Sequence, residues 1–205
     1  MLNGHVVCRH SRCRERAQHG AALIEVLVSI LIVSFGLLSL AGLQTKMNSA
    51  LLEAYQRAQA LTLLEDMTQR IQSNQALSAS YVVASLGTGD GLTANCATLT
   101  TRALIDRCEW SNALKGAAAT NTVNGTVGAN VGAMIGARGC VEQLQAANPA
   151  SGVCQPAIYR VSVAWQGMNA TVVPALTCGA NQYGDDDSLR KVVASRVIVP
   201  LPTCS

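Results

Sequence analysis

The sequence predicts an α+β chain: a long N-terminal helix, transmembrane in its first half and amphipathic in its second, packed on an antiparallel β-sheet head. Three observations predict it. Residues 26–45, between Glu25 and Lys46, form a run of twenty uncharged residues rich in Val, Leu and Ile, the length a helix needs to span a bilayer. Apolar residues then recur at helical spacing (Met47, Leu51, Ala54, Ala58, Leu61, Leu64, Ile71), and the first proline is Pro149. Alternating strand patterns cluster late in the chain, an order that suits a sheet packed on the helix's outer half.

The elements follow in order. Residues 1–20 carry Arg9, Arg12, Arg14 and Arg16 against Glu15 alone, while residues 21–205 balance eleven Lys/Arg with eleven Asp/Glu. A basic block before an apolar segment keeps the N-terminus on the cytoplasmic side. It is no nucleic-acid patch, which needs basic residues gathered on a folded face. The small residues Gly20-Ala21-Ala22 precede the apolar run, whereas a secretory signal peptide has its cleavage site after a shorter one. A single helix is expected from about residue 22 to about 74, roughly 80 Å at ~1.5 Å per residue. The alternative is two helices with a break near residues 44–49. Glu53/Arg57 and Asp66/Arg70 stand as i,i+4 pairs in the favoured order.

In the head, "YVVAS" (81–85) reads as a strand followed by the turn "GTGDG" (87–91), and residues 100–116 as a helix with a Thr cap and a Gly stop. The glycine-rich 116–139 reads as a long mobile loop. The strongest strand is "IYRVSVAWQ" (158–166), with Tyr159, Val161, Val163 and Trp165 on one face. "TVVPAL" (171–176) and "RKVVASRVIV" (190–199) add two more. Trp110 and Trp165 read as core residues.

His5, His10 and His19 are the only histidines. A chain cut after residue 20 would have none, which excludes His-based triads and His-containing metal sites. No nucleophile–base pair or metal constellation stands out, and neither catalysis nor a cofactor is expected. The near-balance of Lys/Arg and Asp/Glu in residues 76–205 gives no reason to expect nucleic acid as a partner. Cys8 and Cys13 lie in the basic block; Cys96, Cys108, Cys140, Cys154, Cys178 and Cys204 lie beyond the membrane segment. Six cysteines in an exported domain suggest three disulfides over a zinc site, because no CxxC pair occurs among them. Nearest-neighbour pairing (96–108, 140–154, 178–204) is the simplest of the fifteen arrangements. "DDD" (185–187) reads as a solvated turn, since it lacks the alternating ligands of a calcium loop. "NGT" (124–126) and "NAT" (169–171) match the glycosylation sequon.

The stretch Gly20-Ala21-Ala22-Leu23-Ile24-Glu25-Val26-Leu27-Val28 resembles the N-terminal signature of type IV pilins and related pseudopilins: a basic leader ending in glycine, then an apolar helix with glutamate at its fifth position. The resemblance implies that a membrane prepilin peptidase removes residues 1–20, cutting between Gly20 and Ala21 and methylating the new amine of Ala21. It implies that Glu25 pairs with the N-terminal amine of a neighbouring subunit during filament assembly. The mature chain would then comprise a transmembrane half-helix (21–45), an amphipathic half-helix (46–75) and a periplasmic or extracellular head (76–205). "LIEVLVSILIVSFGLLSLAGLQ", with "ALTLLEDMTQRIQSN", is similar to the PilV minor pilins, also called type IV pilus modification proteins; "YRVSVAWQG" and "RKVVASRVIVPL" fit that family more loosely. The leader is longer than most in the family, and Ala21 stands where Phe is usual.

By resemblance the partners are the prepilin peptidase, other minor pilins and the major pilin, the inner-membrane assembly machinery, and a tip adhesin. The expected location is the bacterial inner membrane, then the pilus at the cell surface. A Cys178–Cys204 bond would mirror the terminal disulfide loop of many pilins. Two rivals share the features read so far: a type II secretion pseudopilin, whose head is usually smaller with fewer cysteines, and a surface adhesin with its binding loop at 116–139.

Overall fold

The computed structural model describes residues 19–92, 95–117, 120–123, 126–130, 132 and 134–201. The chain divides into two units, the first ending at Asn48 and the second covering Ser49–Ser205.

One helix, α1 (His19–Ser73), crosses that boundary without a break, so the two-helix alternative with a break near residues 44–49 does not hold. Every side chain from Ala22 to Asn48 is exposed. The hydroxyls in this stretch turn back onto their own helix: Ser29 donates to the carbonyl of Glu25 (2.7 Å), Ser34 to Ile30 (2.7 Å), Ser39 to Phe35 (3.0 Å) and Thr45 to Ala41 (3.2 Å). Such i−4 bonds satisfy the hydroxyls internally, so the outer surface stays apolar.

In the second unit, Ala60, Leu64, Met67 and Ile71 of α1 are buried. They follow one another at three- and four-residue steps, a single stripe of the helix. This corrects the stripe read from sequence in part: Leu64 and Ile71 belong to it, while Met47, Leu51 and Leu61 are exposed. The stripe packs on a four-stranded antiparallel sheet of order β1-β4-β5-β6. Its strands are β1 (Val83–Gly87), β4 (Arg138–Gln145), β5 (Ala157–Gln166) and β6 (Arg190–Val199). In the chain, helix α2 (Arg102–Leu114) follows β1 and precedes a two-stranded antiparallel pair of β2 (Thr120–Val123) and β3 (Thr126–Asn130).

β5 is central and paired along its length with β6, from Ala157↔Val199 to Gln166↔Arg190. Tyr159, Val161, Val163 and Trp165 face the helix and form the core with Trp110 of α2. The opposite face is covered too: Ala164 packs with Cys140, Cys178 and Tyr183 in a second, smaller cluster.

Close packing leaves no room for a side chain at Gly139 of β4. A Cβ there would overlap the Trp110 ring and come within 2.7 Å of Leu114 Cδ1. The indole of Trp110 in turn donates to the carbonyl of Leu63 in α1 (2.8 Å). One aromatic thus joins α1, α2 and the sheet.

Several expectations are corrected. Residues 116–139 are not simply a loop, for they contain the β2–β3 hairpin; Asn124-Gly125, between those strands in sequence, is a dipeptide suited to a two-residue turn but lies outside the described residues. β4 was not expected. Residues 171–176 form no strand; the carbonyls of Pro174 and Leu176 bond to a side-chain cation instead of a neighbouring strand. Buried Arg190 donates hydrogen bonds to the carbonyls of Pro174 (3.0 Å), Leu176 (2.5 Å) and Cys178 (3.1 Å). Glu53 does not pair with Arg57; its Oε1 accepts instead from the backbone N–H groups of Met168 (3.1 Å) and Asn169 (3.0 Å) and from Asn169 Nδ2 (3.1 Å). Asp66 does meet Arg70, at 3.0 Å.

Candidate functional site

The residues singled out in the sequence fall in two separate regions. Gly20 and Ala21 lie in the first turns of α1. Glu25 is exposed one turn further on, the only charged residue between Ala21 and Lys46. Leu23, Ile24, Phe35 and Leu38 around and beyond it are each more than 60% exposed (73%, 67%, 68% and 71%). The helix is long and apolar enough to cross a membrane. Gly36 and Gly42 have open space where a Cβ would stand.

The cysteines lie in the head. Cys96 bonds Cys108, tying the segment before α2 to its middle. Cys140 bonds Cys178, which overturns the expected 140–154 and 178–204 pairs. The reason is topological. Cys140 lies near the start of β4, opposite Ser162 of β5, and the segment after β5 folds back over that point. Cys154 lies beyond the other end of β4, in the connection to β5. It too is disulfide-bonded, and Cys204 lies outside the described residues.

Two polar centres not singled out in the sequence organise the head. Asp106 of α2, 2% exposed, accepts from the Tyr81 hydroxyl, from Arg70 (2.8 Å) and from Arg102 (2.9 Å). Burial and the hydrogen bond to Asp106 push the Tyr81 phenol up to about 12. Burial works against the Arg70 cation, but hydrogen bonds to Glu109, Asp66 and Asp106 outweigh it and hold the guanidinium more firmly protonated than usual. A buried carboxylate met by two guanidinium groups and a phenol is fully satisfied, and losing one member leaves the others stranded.

The second centre is Asp90, in the turn after β1. It accepts from Lys115 (2.5 Å), from the Ser111 hydroxyl, and from the N–H groups of Gly87 (2.9 Å) and Leu92 (3.0 Å). Burial opposes its charge, but these donors outweigh that and hold the carboxyl at about 2.

"DDD" is only partly the solvated turn expected. Asp185 and Asp186 are exposed, but Asp187 is buried against Arg190 (2.8 Å) and accepts from the N–H of Asn181 (2.8 Å). Burial disfavours the Asp187 charge, yet these partners hold its carboxyl below the usual range. It caps a loop. Among the described residues no cluster of His, Cys, Asp and Glu could hold a metal ion. Asn169 of the second sequon has its side-chain amide on Glu53, and Asn124 of the first lies outside the described residues.

A groove of about 590 Å³ runs between α1 and β6 within the second unit, lined among others by Ala54, Arg57, Trp165, Lys191 and Val193. It holds no nucleophile–base pair. The geometry therefore defines a class, a membrane-length helix carrying a disulfide-bonded α+β head. Comparison with known proteins adds no family: no family model, curated protein or solved structure matches the chain.

Proposed function

We propose that this chain is a minor type IV pilin, processed at Gly20–Ala21, held in the bacterial inner membrane by α1 and incorporated into a pilus with other pilins. It takes part in assembly and priming, in a tip complex with other minor pilins and an adhesin. One observation carries the reading: an unbroken, outwardly apolar helix begins beside Gly20-Ala21 and bears a single carboxylate, Glu25, within its first turns. An unpaired carboxylate at that depth costs at least ~2.5–3.5 kcal/mol on insertion scales. Cutting after Gly20 makes an ammonium at Ala21, and a neighbouring subunit's ammonium beside Glu25 offsets that cost. Losing one partner of such a buried pair costs ~3–5 kcal/mol.

Mass spectrometry of the mature N-terminus tests this. The expected product starts at Ala21 and carries one methyl group; an intact leader or any other start overturns the reading. In the second test, Glu25→Ala leaves membrane insertion intact while the subunit disappears from sheared pili. Unchanged incorporation rules out the pairing.

A further inference from the structure

β6 is the last strand of the sheet, bonded to β5 on one side and, among the described residues, to no strand on the other. Its sequence, RKVVASRVIV, has no carboxylate; Arg190 is taken by Asp187 and Lys191 by Asn169 and Thr171, which leaves Arg196 as its cation without an anionic partner among the described residues. An edge strand presents a row of unpaired N–H and C=O groups on which an extended chain can add. Here the start of that strand, Arg190–Val193, borders the groove described above, with α1 as the opposite wall, and Arg196 and Ile198 lie further along the same strand.

The charges beside this edge are unusual in two independent ways. On the helix side, Glu53 is taken by the 168–169 backbone, so Arg57 has lost its i+4 carboxylate and has no partner among the described residues. Buried Trp165 lines the same groove, and its indole N–H has no acceptor there. On the outer face, Arg196 stands directly opposite Arg160, a like-charge pairing that costs stability. Glu142 answers only Arg160, at 3.1 Å. Exposed Ile198 lies two residues on, on the same face.

We propose that the groove between α1 and the free edge of β6 binds an extended, acidic segment of a partner polypeptide, which adds to the sheet as a fifth strand. Successive side chains of a strand face opposite sides. Carboxylates at odd spacing in the incoming strand therefore reach Arg57 on the helix side and Arg196 on the outer side. Its apolar residues cover Ile198 and Val193. The groove lies wholly within the second unit, so it accepts this ligand whether or not the leader is cut at Gly20.

Edge cations also guard sheets against indiscriminate pairing, and the test separates the two roles. The full chain in detergent micelles is titrated against a fluorescent peptide of alternating Thr and Val, as long as β6, with two Glu at odd spacing. Anisotropy should report saturable binding. Replacing both Glu by Lys, or N-methylating alternate backbone amides, should weaken it at least about tenfold, and Arg57→Gln or Arg196→Gln roughly tenfold each, as expected for loss of a charge-assisted hydrogen bond. No binding of the acidic peptide, equal binding of the Lys or N-methyl peptide, or an unchanged affinity in both Arg variants overturns the proposal. The peptide controls act on unaltered protein, so they stand even if a variant fails to fold.

Discussion

Residues 22–48 and residues 49–73 belong to one helix, yet among the described residues only the second stretch buries apolar side chains. In the first, Leu23 and Leu38 are 73% and 71% exposed; in the second, Ala60, Met67 and Ile71 are fully buried. Hydrophobicity alone does not distinguish them, since the exposed stretch is the more apolar. What differs is polar relief. The second stretch interleaves Gln56, Arg57, Glu65 and Asp66 with its stripe, so that one side can face water, whereas the first has no charge from Val26 to Thr45. Such a segment suits a surround that is apolar on all sides.

If the second stretch is held by packing, the largest effect should come from the residue that joins most elements. Trp110 is fully buried against Gly139 and donates to Leu63 of α1. Trp110→Ala should cost ~3–5 kcal/mol and lower the urea midpoint of the head, followed by Trp165 fluorescence in micelles. A loss below about 1 kcal/mol would mean that α1 is held mainly by other contacts.

A middle-sized effect should come from Asp90, which has no counterpart in the exposed stretch. Its carboxyl is held at about 2 against an ordinary 3.8. A depressed carboxylate stabilises the fold fully above its unfolded-state value, and that stabilisation is lost as pH falls toward the folded-state value. The shift corresponds to ~2 kcal/mol, lost between about pH 5 and about pH 2. Asp90→Asn should flatten that part of the stability profile. A profile as steep as the parent's would place the acid sensitivity elsewhere, with Asp187 and Asp186 the next carboxylates held low.

The same contrast explains what could be read from the sequence. α1 was legible from its uncharged run and the apolar recurrence that follows it, β5 from the alternation of Tyr159, Val161, Val163 and Trp165, and β6 from its β-branched residues. β4, "RGCVEQLQ", was not, since Val141 is its only β-branched residue among Gly, Glu and Gln. "TVVPAL" reads as a strand from Thr171, Val172 and Val173, and Arg190, which binds the carbonyls of Pro174 and Leu176, lies too far along the chain for a local pattern to show it. Asp106, Tyr81 and Arg70 come from three separate elements, and no local pattern links them. The disulfides went the same way: Cys96–Cys108 is local, whereas Cys140–Cys178 depends on which segment covers β5.

The smallest expected effect tests the comparison most directly, because it applies one chemical change to both stretches of the helix. Leu64, 6% exposed, lies in the packed stripe; Leu38 does not. Leu64→Ala leaves a cavity and should cost ~2–5 kcal/mol of head stability. Leu38→Ala removes the same atoms from a side chain that is 71% exposed, so the urea midpoint should stay within about 0.3 kcal/mol of the parent. Intrinsic propensity does not obscure the result, since Ala is at least as good a helix former as Leu. A loss of head stability at Leu38 comparable to that at Leu64 would mean that burial in the stripe is not what separates the two stretches.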